Sequence, residues 1–393
     1  MTVVYQSAAC QADPTVTATH ILMIGCGAYP HMAKAGYVGV KPLGSPPLSV
    51  ARVANWFLGG LAGKPPSEAF SNTDAPVGSL ALLISPSQTY TVPGGQAQQV
   101  DEPTIENIEI AYESWLARLG DNPASRGILY YCGHGISDGE SQYLVADDFG
   151  VTPNRKWRHV FNVVKTIEAA QRATRSVLLY FIDACMEFDQ AVVNSISEPM
   201  GLIDGDANAV LKTKDYAVIR STTMNRLAYA PKDGLSRFTD AFVTALSGFC
   251  GRQRAGTQLF EVTPSGLKEA MDVFLDRSNL TGMEQTITHT GSGANVPIHV
   301  LDQVPKVLAQ VAVNPVLYRL ASTVFFERPK SQRRTQGFAA PTQAYAEFEI
   351  PRGEWVCGVE ATQAGSFQTR RLPSEYMSPP NWRYNFMIPG EGQ

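Results

Sequence analysis

A histidine and a cysteine each close a buried-looking apolar run in this chain: 128-ILYYCGHG-135 stops at His134 and Gly135, and 177-VLLYFIDAC-185 stops at Cys185. A thiol facing an imidazole is the minimum for nucleophilic catalysis by cysteine. The imidazole takes the thiol proton or stabilises the thiolate, bringing an ordinary pKa of about 8.5 toward working pH. Gly135 has no side chain, so a substrate carbonyl can approach its N–H closely, and with the Cys185 N–H it makes a candidate oxyanion hole. Singly, a strand-end cysteine reads as an inert buried thiol and a lone histidine as a satisfied polar residue. Their combination, at a separation of 51 residues, is what points to chemistry.

Other spacings carry less. The run 25-GCGAYP-30 lacks the third glycine of a dinucleotide loop and the acidic residue that closes such a unit. Cys132 and His134 stand two apart on one strand, but no further residue is spaced to complete a zinc site. The stretch 204-DGDANAVLKTKD-215 puts Asp204, Asp206, Asn208 and Asp215 at positions 1, 3, 5 and 12 of a calcium-loop register. Ala209 stands where the loop needs glycine, and the last ligand is Asp rather than Glu. The expectation is an enzyme with no metal and no organic cofactor.

The elements that must position His134 and Cys185 are strands of a mostly parallel sheet. Strand-type runs at 20-HILMIG-25, 80-LALLIS-85, 127-GILYYCG-133, 176-SVLLYFID-183 and 215-DYAVIRST-222 alternate with segments of helical period. Helices are expected from Pro47 to Leu58, Thr104 to Leu119, Phe161 to Arg172 and Ser236 to Leu246. The strands are apolar on consecutive positions, which predicts helices on both faces, and function in such sheets gathers at the carboxyl ends of the strands. From Glu187 to Lys214 no regular element is expected. Beyond residue 300 the runs 322-STVFFE-327, 345-YAEFEI-350 and 355-WVCGVEA-361 lie between Pro-, Gly- and Arg-rich turns. The chain is therefore read as an α/β domain over 1–300 and a small β-rich C-terminal domain over 301–393.

Composition narrows the class. The 393 residues are 44% apolar and only 17% charged, with Lys+Arg 32 against Asp+Glu 36 and a net charge of −4. Clustered positive charge of the kind that binds nucleic acid or anionic membranes is missing. No apolar run approaches the roughly 20 residues of a membrane span, and the first twenty residues do not read as a secretory signal. Six scattered cysteines, Cys10, Cys26, Cys132, Cys185, Cys250 and Cys357, read as free thiols of a cytoplasmic protein.

With these residues in view the chain resembles the caspase-like cysteine peptidases, the group of caspases, metacaspases and their bacterial relatives. The histidine about 50 residues before an Asp-Ala-Cys matches the caspase spacing. Residues 20-HILMIGCGAYPH-31 look like the family's first strand, 43-LGSPPLSVARVANWF-57 like its Leu-x-Gly segment and first helix, and 217-AVIRSTTMNRLAYAPKDGLSRFTDAFVTAL-246 like its small-subunit portion. The likeness covers roughly residues 18–250. It implies a caspase-like fold and a cysteine endopeptidase acting on protein substrates through His134 and Cys185, with the Gly135 and Cys185 amides as oxyanion hole. In metacaspases the residue at Asp183 lines the S1 pocket, which implies a basic P1 residue, Arg or Lys. Caspases that cut after Asp carry Gln there, and Met186-Glu187 replaces the usual small residue and Gly. Lys41, near where caspases place a pocket Arg, favours an acidic P1 instead. Asp183 also reads as an orienting carboxylate. Lys212 and Lys214, where caspases separate large and small subunits, are the self-cleavage candidates. Some bacterial relatives act as latent effectors in defence or regulated cell death, switched on by an upstream activating sensor. The contrasting reading is an interaction module with an idle dyad.

Overall fold

Consecutive apolar residues with β-branched and aromatic members form the centre of a seven-stranded sheet. The computed structural model describes residues 2–36, 42–137, 141–184, 200–205, 208–222, 234–278, 285–328, 333–363 and 366–389. Its contacts divide the chain into two units, Met1–Ser247 with Glu261–Val300, and Gly248–Phe260 with Leu301–Gln393.

In the first unit the sheet strands are β1 (Thr2–Gln6), β2 (Thr19–Cys26), β3 (Val77–Ser85), β4 (Arg126–Gly133), β8 (Val177–Ala184), β9 (Tyr216–Thr222) and β10 (Thr286–Thr290). A separate three-stranded sheet is made by β5 (Gly135–Ser137), β6 (Gln142–Val145) and β7 (Val160–Asn162). The large sheet runs in the order β1-β3-β2-β4-β8-β9-β10. The five interior strands are parallel, and β1 and β10 close the edges antiparallel. All five interior strands coincide with the five sequence runs.

Four helices stand close to expectation: α1 (Ser45–Phe57), α2 (Ile105–Leu119), α3 (Val163–Ala173) and α4 (Arg237–Thr244), joined by α5 (Pro264–Ser278). Each start has a local cause. Pro46 and Pro47 occupy the first turn of α1, where a missing N–H costs nothing. Thr104, Asn162 and Ser236 cap α2, α3 and α4 by accepting from the backbone N–H three residues on. On one face Ile108, Tyr112 and Trp115 of α2 and Ile167 of α3 pack against Leu22, Leu129, Tyr131 and Tyr180. On the other, Phe242 of α4 lies 4.8 Å from Phe181, ring to ring. Both faces are thus covered, which is why the strands alternate so little.

The helix expected to reach Leu246 stops at Thr244 and passes into a π-type turn over Ala245–Phe249. The region expected to lack regular structure, 187–214, is described only over 200–205 and 208–214, without helix or strand there. Cys10, Cys26, Cys132, Cys250 and Cys357 are free thiols.

The second unit is β-rich. Strands β11 (Lys306–Asn314), β14 (Ala346–Pro351) and β17 (Asn381–Met387) form one sheet, and β12 (Ser322–Glu327), β13 (Arg333–Gly337), β15 (Gly353–Ala361) and β16 (Arg370–Arg371), with a short strand at Glu375–Met377 paired to β15, form another. Val307, Val311, Phe326, Phe348, Trp355 and Val359, drawn from both sheets, share one core.

Candidate active site

The parallel pairing of β4 with β8 runs in register to the strand ends, where Asp183 faces Cys132 and Ala184 faces Gly133. His134 follows Gly133 directly. Cys185 follows Ala184 and lies outside the described residues, as does Lys41.

The backbone of His134 is held on both sides. Its N–H donates to the Tyr29 hydroxyl at 2.7 Å, and its carbonyl accepts from the Tyr131 hydroxyl at 3.0 Å and from the Val145 N–H at 3.1 Å. The Tyr29 ring lies against the imidazole, centroids 4.7 Å apart. Tyr29 is itself anchored, its N–H donating to Asp147 Oδ1 at 3.0 Å. It adopts φ of 50°, a left-handed conformation that costs a non-glycine residue of order 1 kcal/mol or more. Gly133 makes this approach feasible. A Cβ there would stand 2.7 Å from the Tyr29 hydroxyl and 2.8 Å from that of Tyr131.

The peptide plane after His134 orients the candidate oxyanion donor. Because the His134 carbonyl points to Val145 of β6, the N–H of Gly135 in the same trans peptide points away from β6. Burial lowers the His134 imidazole from its ordinary value to about 4, so it is neutral at pH 7, and its Nε2 is buried with no partner among the described residues.

Asp183 sits in a cage of hydroxyls and a thiol. It is 3% exposed. Oδ2 accepts from Ser236 Oγ, from Thr239 Oγ1 at 3.1 Å, from Tyr130 at 3.3 Å and from Cys132 Sγ at 3.4 Å. Desolvation raises this carboxyl above the usual carboxylate range, and the four donors oppose that rise. Ser236 also caps α4, so the cage ties the end of β8 to the start of that helix.

Lys212 and Lys214 lie in a stretch fastened to α3 and its surroundings. The N–H groups of Lys212 and Thr213 both donate to the Gln171 carbonyl, at 2.8 and 3.0 Å. The buried Thr213 hydroxyl donates to the Thr174 carbonyl at 2.6 Å, and the Lys214 carbonyl accepts from Ser292 at 2.6 Å. Both lysine side chains are exposed. Of the calcium-loop register, Asp204 and Asn208 are exposed and Asp206 lies outside the described residues. Among the described residues no group of three or more His, Cys, Asp or Glu side chains converges as a metal site.

Sequence reasoning missed Tyr29, Tyr131, Gly133 and Asp147 as the frame of His134. The one local signal was the 25-GCGAYP-30 run, read as an incomplete nucleotide loop and as the exit of the family's first strand.

Comparison with known proteins gives the class. Residues 57–286 match the sequence model of the caspase domain, and the chain belongs to this family of cysteine peptidases. Residues 301–393 lie beyond that match. The chain is also 42% identical over 325 residues to the uncharacterised protein y4kE of Sinorhizobium fredii (strain NBRC 101917 / NGR234), covering 80% of this chain and 93% of that protein. Among solved structures, caspase-1 from Spodoptera frugiperda superposes with a TM-score of 0.39 at 9% identity, over 72% of this chain and 89% of that one. Among the described residues no helix is long and apolar enough to cross a membrane.

Proposed function

We propose that the protein is a cysteine endopeptidase with Cys185 as nucleophile and His134 as its acid–base partner. The observation that carries this reading is the register of β4 with β8. Ala184 pairs with Gly133 at the ends of the two strands, and the residues that follow these two in sequence are Cys185 and His134.

In the proposed cycle the neutral His134 imidazole accepts the Cys185 thiol proton as sulfur attacks the scissile carbonyl carbon. The Gly135 and Cys185 N–H groups hold the developing oxyanion. The imidazolium returns the proton to the leaving amine, and the acyl-enzyme remains. Water, deprotonated by His134, then attacks the thioester; the thiolate leaves and the product carboxylic acid departs. A low imidazole pKa suits the base step, because the free ring is unprotonated at neutral pH.

A carboxylate at Asp183 would pair with a basic P1 side chain and repel an acidic one. The cage around Oδ2 favours a second role for the same residue, orienting the end of β8. Self-cleavage after Lys212 or Lys214 requires that stretch to detach from Gln171 first, which fits a latent enzyme released by an upstream activating sensor.

The test is covalent labelling by peptidyl electrophiles ending in Arg or in Asp. Wild type should be labelled once, faster by the Arg probe, and Cys185→Ala not at all. Equal labelling of Cys185→Ala refutes the nucleophile, and faster labelling by the Asp probe refutes the basic P1 preference.

A further inference from the structure

A cavity of about 460 Å3 lies between α3 and β9, lined among others by Val164, Ile167, Arg172, Leu211, Val218 and Arg220. Arg220 stands opposite Ile182 of β8 and Thr288 of β10. It lines the cavity with Tyr216 and Val218, which alternate with it along one face of β9.

Its Nε is buried with no hydrogen-bond partner among the described residues. Arg172 has a buried, unpartnered Nε as well. The Arg172 Nη1 donates to the Glu168 carbonyl at 3.0 Å, while the Glu168 carboxylate stands 4.0 Å away and 56% exposed. Two guanidiniums with spare donors on one cavity are costly to desolvate, and an anion offsets that cost most directly.

Charge selects the anion. Of the cavity's lining residues, Arg172 and Arg220 are cationic and Glu168 anionic, which leaves one positive charge for a monoanion to neutralise. A carboxylate matches the planar fork of a guanidinium with two parallel N–H···O bonds. The remaining walls, Val164, Ile167, Leu211 and Val218, are aliphatic and suit a hydrocarbon body.

We propose that this cavity is a binding site for a monocarboxylate with a short aliphatic body, its carboxylate held by Arg220 with Arg172 on the same cavity. The site is separate from the dyad and does not depend on it. A free short-chain acid and the C-terminal carboxylate of an aliphatic peptide share this chemistry.

Calorimetry on the full chain tests it, with hexanoate, hexanamide, inorganic phosphate and N-acetyl-leucyl-leucine as free acid and as amide. Hexanoate should bind saturably, and hexanamide at least tenfold more weakly. Arg220→Met should weaken hexanoate at least tenfold, Arg172→Met several-fold, and Arg220→Lys less than Arg220→Met. Cys185→Ala should leave the affinity unchanged. Tighter binding of the peptide acid than of hexanoate, lost in its amide, assigns the site to chain termini; the reverse order assigns it to free acids. Absence of hexanoate binding, equal binding by the Arg172→Met and Arg220→Lys variants and wild type, or phosphate binding more tightly than hexanoate overturns the proposal. The Arg172→Met and Arg220→Lys variants keep the test decisive if Arg220→Met does not fold.

Discussion

Tyr29 is the residue on which the position of His134 turns. Its hydroxyl takes the His134 N–H and its ring flanks the imidazole, so Tyr29→Phe keeps the ring contact while leaving a part-buried N–H without this partner. The expected cost is about 1–3 kcal/mol of stability. If the proposed cycle holds, kcat falls by roughly tenfold with KM nearly unchanged, since imidazole alignment matters to proton transfer more than to peptide binding. Steady-state kinetics with an Arg-terminated reporter checks this; an unchanged kcat would show that the contact does not position the ring. Gly133→Ala should be harsher, because its Cβ would stand within 3.0 Å of the Tyr29 and Tyr131 hydroxyls and of the Cys26 Cβ. The candidate pair itself was legible, because strand-end His-Gly and Asp-Ala-Cys are local in sequence. The frame was not: Tyr29 meets His134 across 105 residues, and no periodicity records that contact.

At the scale of elements, the end of β8 and the start of α4 share one hydroxyl. Ser236 accepts from the Thr239 N–H as cap and donates to Asp183, so Ser236→Ala removes both bonds at once. A lost cap costs about 0.5–2 kcal/mol, and each kcal/mol lowers Tm by roughly 2–4 °C in a unit of this size. Thermal unfolding by circular dichroism measures the shift, and a Tm within experimental error of wild type would deny the cage a structural part. Five interior strands were legible because burial on both faces writes continuous apolar runs. Edge strands β1 and β10 were not, since TVVYQ and TITHT are short and partly exposed. The π-type turn after α4 also left no pattern, because its residues Ala245, Leu246 and Phe249 are as apolar as a continuing helix would be.

Across the whole molecule, buried neutral histidines tie stability to pH. Burial lowers both His20 and His299 from the ordinary 6.5 to about 4. The His20 Nε2 has no partner among the described residues, and His299 Nε2 donates to the Pro66 carbonyl at 2.9 Å. A folded-state pKa below the unfolded one means that the unfolded chain binds more protons between the two values. The stabilisation is therefore full above about pH 6.5 and is lost as pH falls toward 4, by a few kcal/mol for the pair. Urea denaturation at pH 7 and pH 5 should show this fall, and His20→Asn should flatten part of it. A stability that rose on acidification would contradict the assignment.

The proposed cycle is cleavage of peptide bonds by Cys185 with His134. Its most direct measurement is the cleavage profile of a proteome-derived peptide library exposed to wild type and to Cys185→Ala. Wild type should cut, predominantly after Arg and Lys, and the variant should leave the library intact. Cleavage of the same sites by Cys185→Ala at undiminished rate would contradict the account.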